Sequence, residues 1–219
     1  MATFVLIPGA GDSAWAWDLV GAELRERGHD VVAVDLPADD ESAGLAEYTD
    51  TVVEAIGGRT DGLVLVAHSL GAFTAPLVCE RVPVDLIVLV AGLIPVPGET
   101  ASDWWSNTGY SEAPTEEYDD EIELYLQDVP PALAAEALAN GRDQAAKPTL
   151  EPWPLERWPD VPTRYLIGRD DRLLPTDWIR KVVRERLGIE ADEIDGGHCV
   201  YLSRPAELAE RLTSFASGQ

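Results

Sequence analysis

Lysine is scarce in this chain of 219 residues: only Lys147 and Lys181 are present, and arginine brings the basic total to just 16. Aspartate and glutamate number 40, so the formal net charge is −24. Proteins that bind nucleic-acid phosphates or anionic membranes do so with clustered lysine and arginine side chains. The charge balance therefore argues against both kinds of partner.

Cysteine and long apolar runs are also scarce. Cys79 and Cys199 are the only cysteines, and two isolated cysteines provide neither a disulfide framework nor a cysteine-rich zinc site. No apolar run reaches the ~20 residues of a membrane helix, and the N-terminus has neither the basic nor the long apolar segment of a signal peptide. We therefore expect a soluble cytoplasmic protein with two reduced, buried thiols.

The distribution of apolar residues predicts one α/β domain. At 46% hydrophobic, the chain is too apolar for disorder, and its length suits one domain. Short apolar segments predict strands at 4–7, 31–34, 63–67, 86–91, 164–167 and 189–194. Most of them are continuous valine, isoleucine and leucine runs, which are typical of parallel strands buried on both faces. Amphipathic segments between them predict helices at 14–27, 45–56, 70–81, 177–187 and 206–215. This alternation indicates a doubly wound, mostly parallel six-stranded sheet.

Residues 93–160 break the alternation, because this stretch is long, rich in tryptophan and proline, and predicts no strand. Helices are expected there only at 122–127 and 131–139. An ordinary connection is shorter, so the stretch is either an inserted lid or a linker, and its aromatic content favours the lid. We therefore expect a core formed by 1–92 and 161–219 and a lid at 93–160, within one structural domain.

The most informative motif is the stretch 63–71, whose pattern is strand, sharp turn and helix, with Ser69 at the turn. A nucleophile elbow requires small side chains two residues before and two residues after its serine, because larger ones would collide with the adjacent strand and helix. Ala67 and Gly71 meet this requirement, although Ala67 replaces the usual glycine. The alternative is a serine that only caps a helix after a strand.

A serine nucleophile needs a general base, and the chain has three histidines. His68 is adjacent to Ser69 and is interpreted as a structural or pocket-wall residue, whereas His29 lies in a helix–strand turn and is expected to be solvated. His198 follows two glycines after the last predicted strand, where the ligand crevice of such a sheet lies. We therefore predict His198 as the base.

The base needs a carboxylate that fixes its tautomer, and two aspartates follow the fifth predicted strand. Asp171 is the favoured residue, because the pattern G-x-x-D-x-x-x-P over 168–175 has a spacing familiar from hydrolases. Asp170 is the rival candidate. The alternative for both is an acidic loop before a helix that Thr176 or Asp177 caps.

Two backbone amides are predicted to form an oxyanion hole, which stabilises the charge of a tetrahedral intermediate. One is the N–H of Leu70, directly after the predicted nucleophile. The other is the N–H of Ala10, in the glycine-containing loop 8–11 after the first strand. The alternatives for this loop are a plain strand-to-helix turn and a dinucleotide-binding loop, which the incomplete G-x-G-x-x-G pattern disfavours.

The order Ser69, Asp171, His198 resembles that of the α/β-hydrolase superfamily, and the resemblance extends over nearly the whole chain. It implies an α/β-hydrolase fold that lacks the two N-terminal strands. Segment 4–17, with its Pro-Gly-Ala-Gly and Ala-Trp-Ala-Trp motifs, looks most like the branch of small esterases, plant methylesterases and hydroxynitrile lyases. Pro8 replaces the histidine that usually braces the loop in such proteins.

The resemblance allows both ester hydrolysis and cyanohydrin cleavage. The lyases of this branch have threonine at the position of Gly9 and lysine at that of Cys199, so this sequence favours a hydrolase. Ser69 argues against dehalogenases and epoxide hydrolases, which use an aspartate nucleophile. We expect a serine ester hydrolase that forms an acyl-enzyme and needs no metal or organic cofactor. The alternatives are a cofactor-independent C–C lyase, a perhydrolase and a non-catalytic ligand-binding protein of the same fold.

The expected partner is a small-molecule ester of small or medium size with an apolar part. The protein is expected to be a monomer or homodimer that binds neither nucleic acid nor membrane. Apolar side chains of the lid are expected to line the substrate pocket. The predicted pocket residues are Gly9, Trp104, Trp105, Tyr110, Trp153 and Trp158. The acidic run 116–121 is interpreted as a solvated lid surface.

Overall fold

A six-stranded parallel sheet forms the centre of the structure, a computed structural model that describes residues 1–218. The strand order is β2-β1-β3-β4-β5-β6. The strands are β1 Thr3–Ile7, β2 Asp30–Ala33, β3 Leu63–His68, β4 Leu86–Val90, β5 Thr163–Gly168 and β6 Asp192–Ile194. This arrangement confirms the predicted doubly wound α/β fold.

Ten α-helices accompany the sheet within residues 1–218. They are α1 Asp18–Glu26, α2 Leu45–Ile56, α3 Ala75–Val78, α4 Ala101–Asn107, α5 Glu121–Tyr125, α6 Pro131–Asn140, α7 Lys147–Leu150, α8 Thr176–Leu187, α9 Val200–Ser203 and α10 Pro205–Ser217. Short 3-10 helices lie at Ala14–Trp17, Ser69–Phe73 and Tyr110–Glu112. None of the helices in this range is long and apolar enough to cross a membrane.

The predicted long helix at 70–81 is wrong. The chain leaves β3 in the 3-10 helix Ser69–Phe73, and only Ala75–Val78 is α-helical. Pro76 has no N–H that could continue a hydrogen-bond ladder from the preceding turn, so the α-helix begins at that point. The segment after the turn at Ser69 is therefore a 3-10 helix followed by a short α-helix, and not one continuous helix.

The sixth strand is shorter than the predicted 189–194. Only Asp192–Ile194 pairs with β5, because β6 lies at the edge of the sheet and meets just the last three residues of β5. The chain leaves α8 through Gly188, whose left-handed backbone (φ 67°) ends that helix. The residues between Gly188 and β6 therefore form a connection outside the sheet.

Alternate strand residues pack on opposite faces of the sheet, as continuous apolar strands require. Val5 lies in the apolar cluster that contains α2 and α8. Phe4 lies in the cluster on the other face, which contains α1 and α10. Cys79 and Cys199 are both free thiols, the first half-buried and the second buried.

The stretch 93–160 contains helices α4 to α7 and, among its residues, no strand. Part of it is buried against the core. The indole N–H of Trp104 donates to the Ile94 carbonyl (2.9 Å), and that of Trp153 donates to the Phe73 carbonyl (3.1 Å). Both indoles are almost completely buried, so this part of the stretch packs as an extension of the core.

The buried ion pair of Glu99 and Arg186 attaches the same stretch to α8. Glu99 Oε1 accepts from Arg186 Nη2 (2.9 Å) and from Asn107 Nδ2 (2.9 Å). The Glu99 and Arg186 side chains are only 1% and 11% exposed. Removal of one partner would therefore leave the other charge buried without compensation.

We expect Glu99→Ala to lower the free energy of unfolding by about 3–5 kcal/mol, measured by urea denaturation. The exposed pair of Arg81 and Asp50 provides the control, because its side chains are 48% and 56% exposed. Arg81→Ala is expected to cost at most about 1 kcal/mol. An equal decrease in the free energy of unfolding in the two variants would show that the buried Glu99–Arg186 pair contributes no more to stability than the exposed pair.

Candidate active site

Ser69 lies at the end of β3 in a strained turn. Its φ of 46° falls in the left-handed region, which residues other than glycine rarely adopt. The N–H of Leu93 donates to the Ser69 carbonyl (3.0 Å) and helps to hold this conformation. A Cβ atom at Gly71 would lie 2.5 Å from the Pro8 carbonyl oxygen, so the turn packs directly against the loop after β1. This is the geometry of a nucleophile elbow.

The structure brings His198 and Asp171 together at the carboxyl edge of the sheet. His198 Nδ1 lies 2.8 Å from Asp171 Oδ2, and both side chains are buried. Asp171 Oδ1 accepts from the amides of Leu173 (2.9 Å) and Leu174 (2.8 Å). Because Oδ1 already accepts from these two amides, Oδ2 is the oxygen that faces the His198 ring, and this contact fits an imidazole with its proton on Nδ1 and a free Nε2.

Asp170, the rival aspartate, makes different contacts. Its backbone N–H donates to the Gly196 carbonyl (3.0 Å), and its own carbonyl accepts from Gln127 Nε2 (2.8 Å). Its side chain is exposed. Within residues 1–218, the carboxylate that contacts the His198 ring is therefore that of Asp171.

A cavity of about 1050 Å³ opens at this edge of the sheet. Five of the predicted site residues line it: Ser69, His198, Ala10, Leu70 and Trp105. The structure thus places the predicted nucleophile, base and oxyanion donors at one concave surface. A smaller surface pocket of about 510 Å³ includes both Asp170 and Asp171 but neither Ser69 nor His198, so it lacks the groups that a reaction would need.

The backbone amides of Ala10 and Leu70 have no protein acceptor within residues 1–218. Leu70 is the second residue of its 3-10 helix, where the first amides have no partner inside the helix. Ala10 lies in the loop after β1, next to the elbow. Two amides without partners at one cavity are available to an oxyanion.

Several predicted pocket residues do not line the cavity, which corrects the expectation for them. Trp104 and Trp153 are buried and donate to the backbone carbonyls of Ile94 and Phe73, as described above. Tyr110 Oη donates to the Leu173 carbonyl (2.8 Å), and Trp158 is outside the lining as well. Each of these aromatic side chains serves packing of the stretch 93–160, whereas Trp105 faces the cavity.

Gly9 is also outside the lining, because the ring of His68 lies over it. A Cβ atom at this position would be 2.7 Å from His68 Nδ1 and 3.2 Å from Ser69 Cβ. Position 9 is therefore restricted to glycine by close packing, and it offers no surface to a substrate.

His68 is buried against the predicted base. Its ring centroid lies 4.7 Å from that of His198, and its Nε2–H donates to the His198 carbonyl (3.3 Å). Burial, reinforced by the nearby His198, lowers the pKa of His68 well below its usual range. His68 is therefore neutral and acts as a structural and pocket-wall residue. His29 lies elsewhere, where its Nδ1 accepts from the Ala2 amide (3.2 Å).

Asp12 is a lining residue that sequence reasoning missed. Its Oδ2 accepts from Tyr201 Oη (2.9 Å) and lies 3.9 Å from His68 Nδ1. Burial raises the pKa of Asp12, and the Tyr201 hydrogen bond opposes this rise. Asp12 does not belong to a metal site, since no group of three potential ligands in residues 1–218 is arranged to hold a metal ion.

Other lining residues were also missed: Trp15, Tyr125, Leu126, Ala137, Leu138 and Tyr201. Leu126 and Leu138 belong to the two segments that the sequence predicts as helical within 93–160. The apolar residues of those two segments could have been considered as candidate lining residues. Which of these side chains points toward the cavity depends on tertiary packing and is not visible in the sequence.

The sheet order, the elbow and the buried His198–Asp171 contact define an enzyme of the α/β-hydrolase class. The sequence model of the alpha/beta hydrolase family matches residues 4–211, so the chain belongs to this family and the predicted resemblance is confirmed. It is 28% identical to Methylesterase 7 of Arabidopsis thaliana, over 97% of this chain and 95% of that protein. It is also 28% identical to the probable esterase PIR7A of Oryza sativa subsp. indica, over 98% and 96%. The crystal structure of polyneuridine aldehyde esterase has the same fold, with a TM-score of 0.83 and 20% identity over 99% of both chains.

Proposed function

We propose that this protein is a serine hydrolase that cleaves a small-to-medium carboxylic ester through an acyl-enzyme. The observation that carries the proposal is the 2.8 Å contact between His198 Nδ1 and Asp171 Oδ2, beside a cavity that Ser69 also lines. Two relatives over nearly the whole chain are named a methylesterase and a probable esterase. These names support an ester as the substrate class.

In the proposed reaction, Ser69 Oγ attacks the ester carbonyl while His198 Nε2 takes the hydroxyl proton. The amides of Ala10 and Leu70 donate to the oxyanion of the tetrahedral intermediate. His198 then gives its proton to the departing alcohol, and the acyl group stays on Ser69. Water, activated by the same histidine, releases the acid. Asp171 stabilises the protonated form of His198 during both acylation and deacylation. The residues named here supply every group that these steps need, so the proposed reaction requires no metal ion or organic cofactor.

The walls of the cavity favour an ester with an apolar acyl or alcohol part. Apolar side chains in the lining include Leu70, Leu93, Trp105, Leu126, Leu138 and Leu173. The lining also carries four carboxylates, from Asp12, Asp39, Glu121 and Asp143, against one arginine, Arg142, and no lysine. Arg142 is paired with Asp35, so the local field disfavours an anionic ester.

Two positions support hydrolysis over cyanohydrin cleavage. Threonine, which the resembled lyases have at the position of Gly9, would place its Cβ 2.7 Å from His68 Nδ1. Cys199 stands where those lyases have lysine, and burial raises the pKa of its thiol, which therefore stays neutral. Position 199 therefore offers no cation to a departing cyanide, and the close packing at position 9 leaves no room for the threonine.

The acyl-enzyme is tested by rapid mixing of the purified protein with p-nitrophenyl acetate and p-nitrophenyl butyrate. We expect a burst of about one p-nitrophenolate per chain before slower turnover, and one added acyl group in the intact mass after acid quench. Saturable binding without any release would support a non-catalytic ligand-binding protein instead. Cleavage of mandelonitrile with a higher kcat/KM than either ester would support a lyase.

A further inference from the structure

The stretch between β4 and β5 contacts the loop that carries Ala10. Residues 8–13 form the oxyanion loop, and residues 140–145 form the clamp segment. The N–H of Arg142 donates to the Gly11 carbonyl (2.7 Å), and the N–H of Gly11 donates to Gln144 Oε1 (3.1 Å). The clamp segment therefore holds both backbone hydrogen-bonding groups of Gly11.

The clamp segment is itself anchored to the core. Gln144 Nε2 donates to Tyr48 Oη (3.1 Å), and Tyr48 is buried in α2. The Arg142 guanidinium donates to the Leu36 carbonyl (3.2 Å) after β2 and pairs with Asp35. The position of the clamp is thus set by residues that do not belong to the oxyanion loop.

The oxyanion loop has little backbone hydrogen bonding of its own, although the Asp12 side chain accepts from Tyr201 Oη (2.9 Å). Pro8 has no N–H to donate, and it stands where the resembled branch has a bracing histidine. The internal bond from Asp12 N–H to the Gly9 carbonyl is long, at 3.4 Å. Gly11 has a φ of 68°, and a Cβ there would lie 2.7 Å from the Arg142 carbonyl oxygen. The loop and the clamp segment are therefore fitted closely to each other.

We propose that Gln144 is a positioning residue: its side-chain oxygen holds the Gly11 amide and so keeps the neighbouring Ala10 amide directed at the oxyanion. The clamp segment supplies the bracing that Pro8 does not. This inference rests on the proposed serine-hydrolase function, because it concerns the oxyanion hole of that reaction. Complete loss of one oxyanion donor lowers kcat by about 10²–10³, and a misdirected donor loses part of that effect.

The test uses Gln144→Met, which removes the acceptor and keeps a side chain of similar length. We expect kcat for p-nitrophenyl butyrate to fall by about 10- to 100-fold, with KM within about twofold of the wild type. Amide hydrogen exchange in residues 8–13 is expected to become faster. Tyr48→Phe removes an anchor of Gln144 but keeps the bond to Gly11, so its loss of kcat and its gain in loop exchange are expected to be smaller than those of Gln144→Met. Ser106→Ala is the control, because Ser106 is exposed and outside the cavity lining, and its kcat and loop exchange are expected to stay near the wild-type values.

Gln144→Glu keeps an acceptor for the Gly11 amide and is expected to restore wild-type exchange in residues 8–13. Wild-type kcat and wild-type exchange in Gln144→Met would overturn the inference, as would a rise in KM with kcat unchanged. Amide hydrogen exchange also tests this inference independently of whether the proposed ester hydrolysis occurs. If the wild type hydrolyses no ester, faster loop exchange in Gln144→Met still supports the clamp, whereas unchanged exchange overturns it.

Discussion

Ser69→Ala is expected to lower kcat for p-nitrophenyl butyrate by a factor of about 10⁴–10⁶. The substitution removes the only atom proposed to attack the ester carbonyl, and no neighbouring side chain takes its place in the proposed reaction. The oxyanion amides of Ala10 and Leu70 stay in position, so a small residual rate above that in water is expected. Alanine adds no atom to the elbow, and the fold is expected to be retained.

The effect is measured by steady-state kinetics on wild type and variant purified in parallel, with thermal denaturation as a check on folding. Ser106→Ala is the control, because Ser106 is exposed on α4 and donates to the Asp103 carbonyl, away from the cavity lining. It is expected to leave kcat unchanged. Retention of more than about a tenth of the activity in Ser69→Ala is incompatible with Ser69 as nucleophile.

Asp171→Asn is expected to lower kcat by about 10⁴ while the protein stays folded. The amides of Leu173 and Leu174 both donate to Oδ1, so an asparagine places its carbonyl oxygen there and turns its NH₂ group toward His198 Nδ1. Two donors cannot share that contact. The imidazole would then carry its proton on Nε2, which is the wrong tautomer for taking the Ser69 proton in the proposed reaction.

Asp170→Asn provides a matched control at the adjacent residue. Asp170 makes its hydrogen bonds to Gly196 and Gln127 through its backbone, which the substitution leaves intact. We expect its kcat to equal that of the wild type. The two variants are compared by kcat and by thermal denaturation, and a larger loss in Asp170→Asn than in Asp171→Asn would reverse the proposed assignment.

The sequence predicts that Ser69, Asp171 and His198 lie at one edge of the sheet, because each follows a predicted strand and parallel strands bring their carboxyl ends to the same edge. The structure places Asp171 in contact with His198, and Ser69 and His198 at the same cavity. The short motif around each residue then indicated its role as nucleophile, carboxylate or base. What the sequence did not contain is the direction of each side chain relative to the cavity.

Trp104 and Trp105 illustrate this limit. They are neighbours on α4, so their side chains leave the helix about 100° apart, and only one can face the core. The structure buries Trp104 and directs Trp105 to the cavity. The start of helix α4 could have been predicted from Thr100, a residue type that often caps helices. In the structure Thr100 Oγ1 accepts from the Asp103 amide (3.0 Å) as the N-cap.

The contact between Gly11 and Gln144 could not be predicted from local patterns, because 133 residues separate its partners. No periodicity or short motif specifies such a pair, and the stretch 93–160 reads only as a helical insertion. The folded chain shows that this stretch contacts the loop 8–13 and also lines part of the cavity. The replacement of the usual histidine by Pro8 was visible in the sequence, but the group that braces the loop in its place was not.

The identity of the nucleophile is tested most directly by covalent labelling. The wild-type protein is treated with a fluorophosphonate probe, and the adduct is located by intact mass and peptide mapping while ester turnover is followed in the same sample. The proposed mechanism predicts one phosphonyl group per chain, on Ser69, with turnover lost in proportion to labelling. An adduct on another residue, or ester turnover that persists in the fully labelled protein, would contradict it.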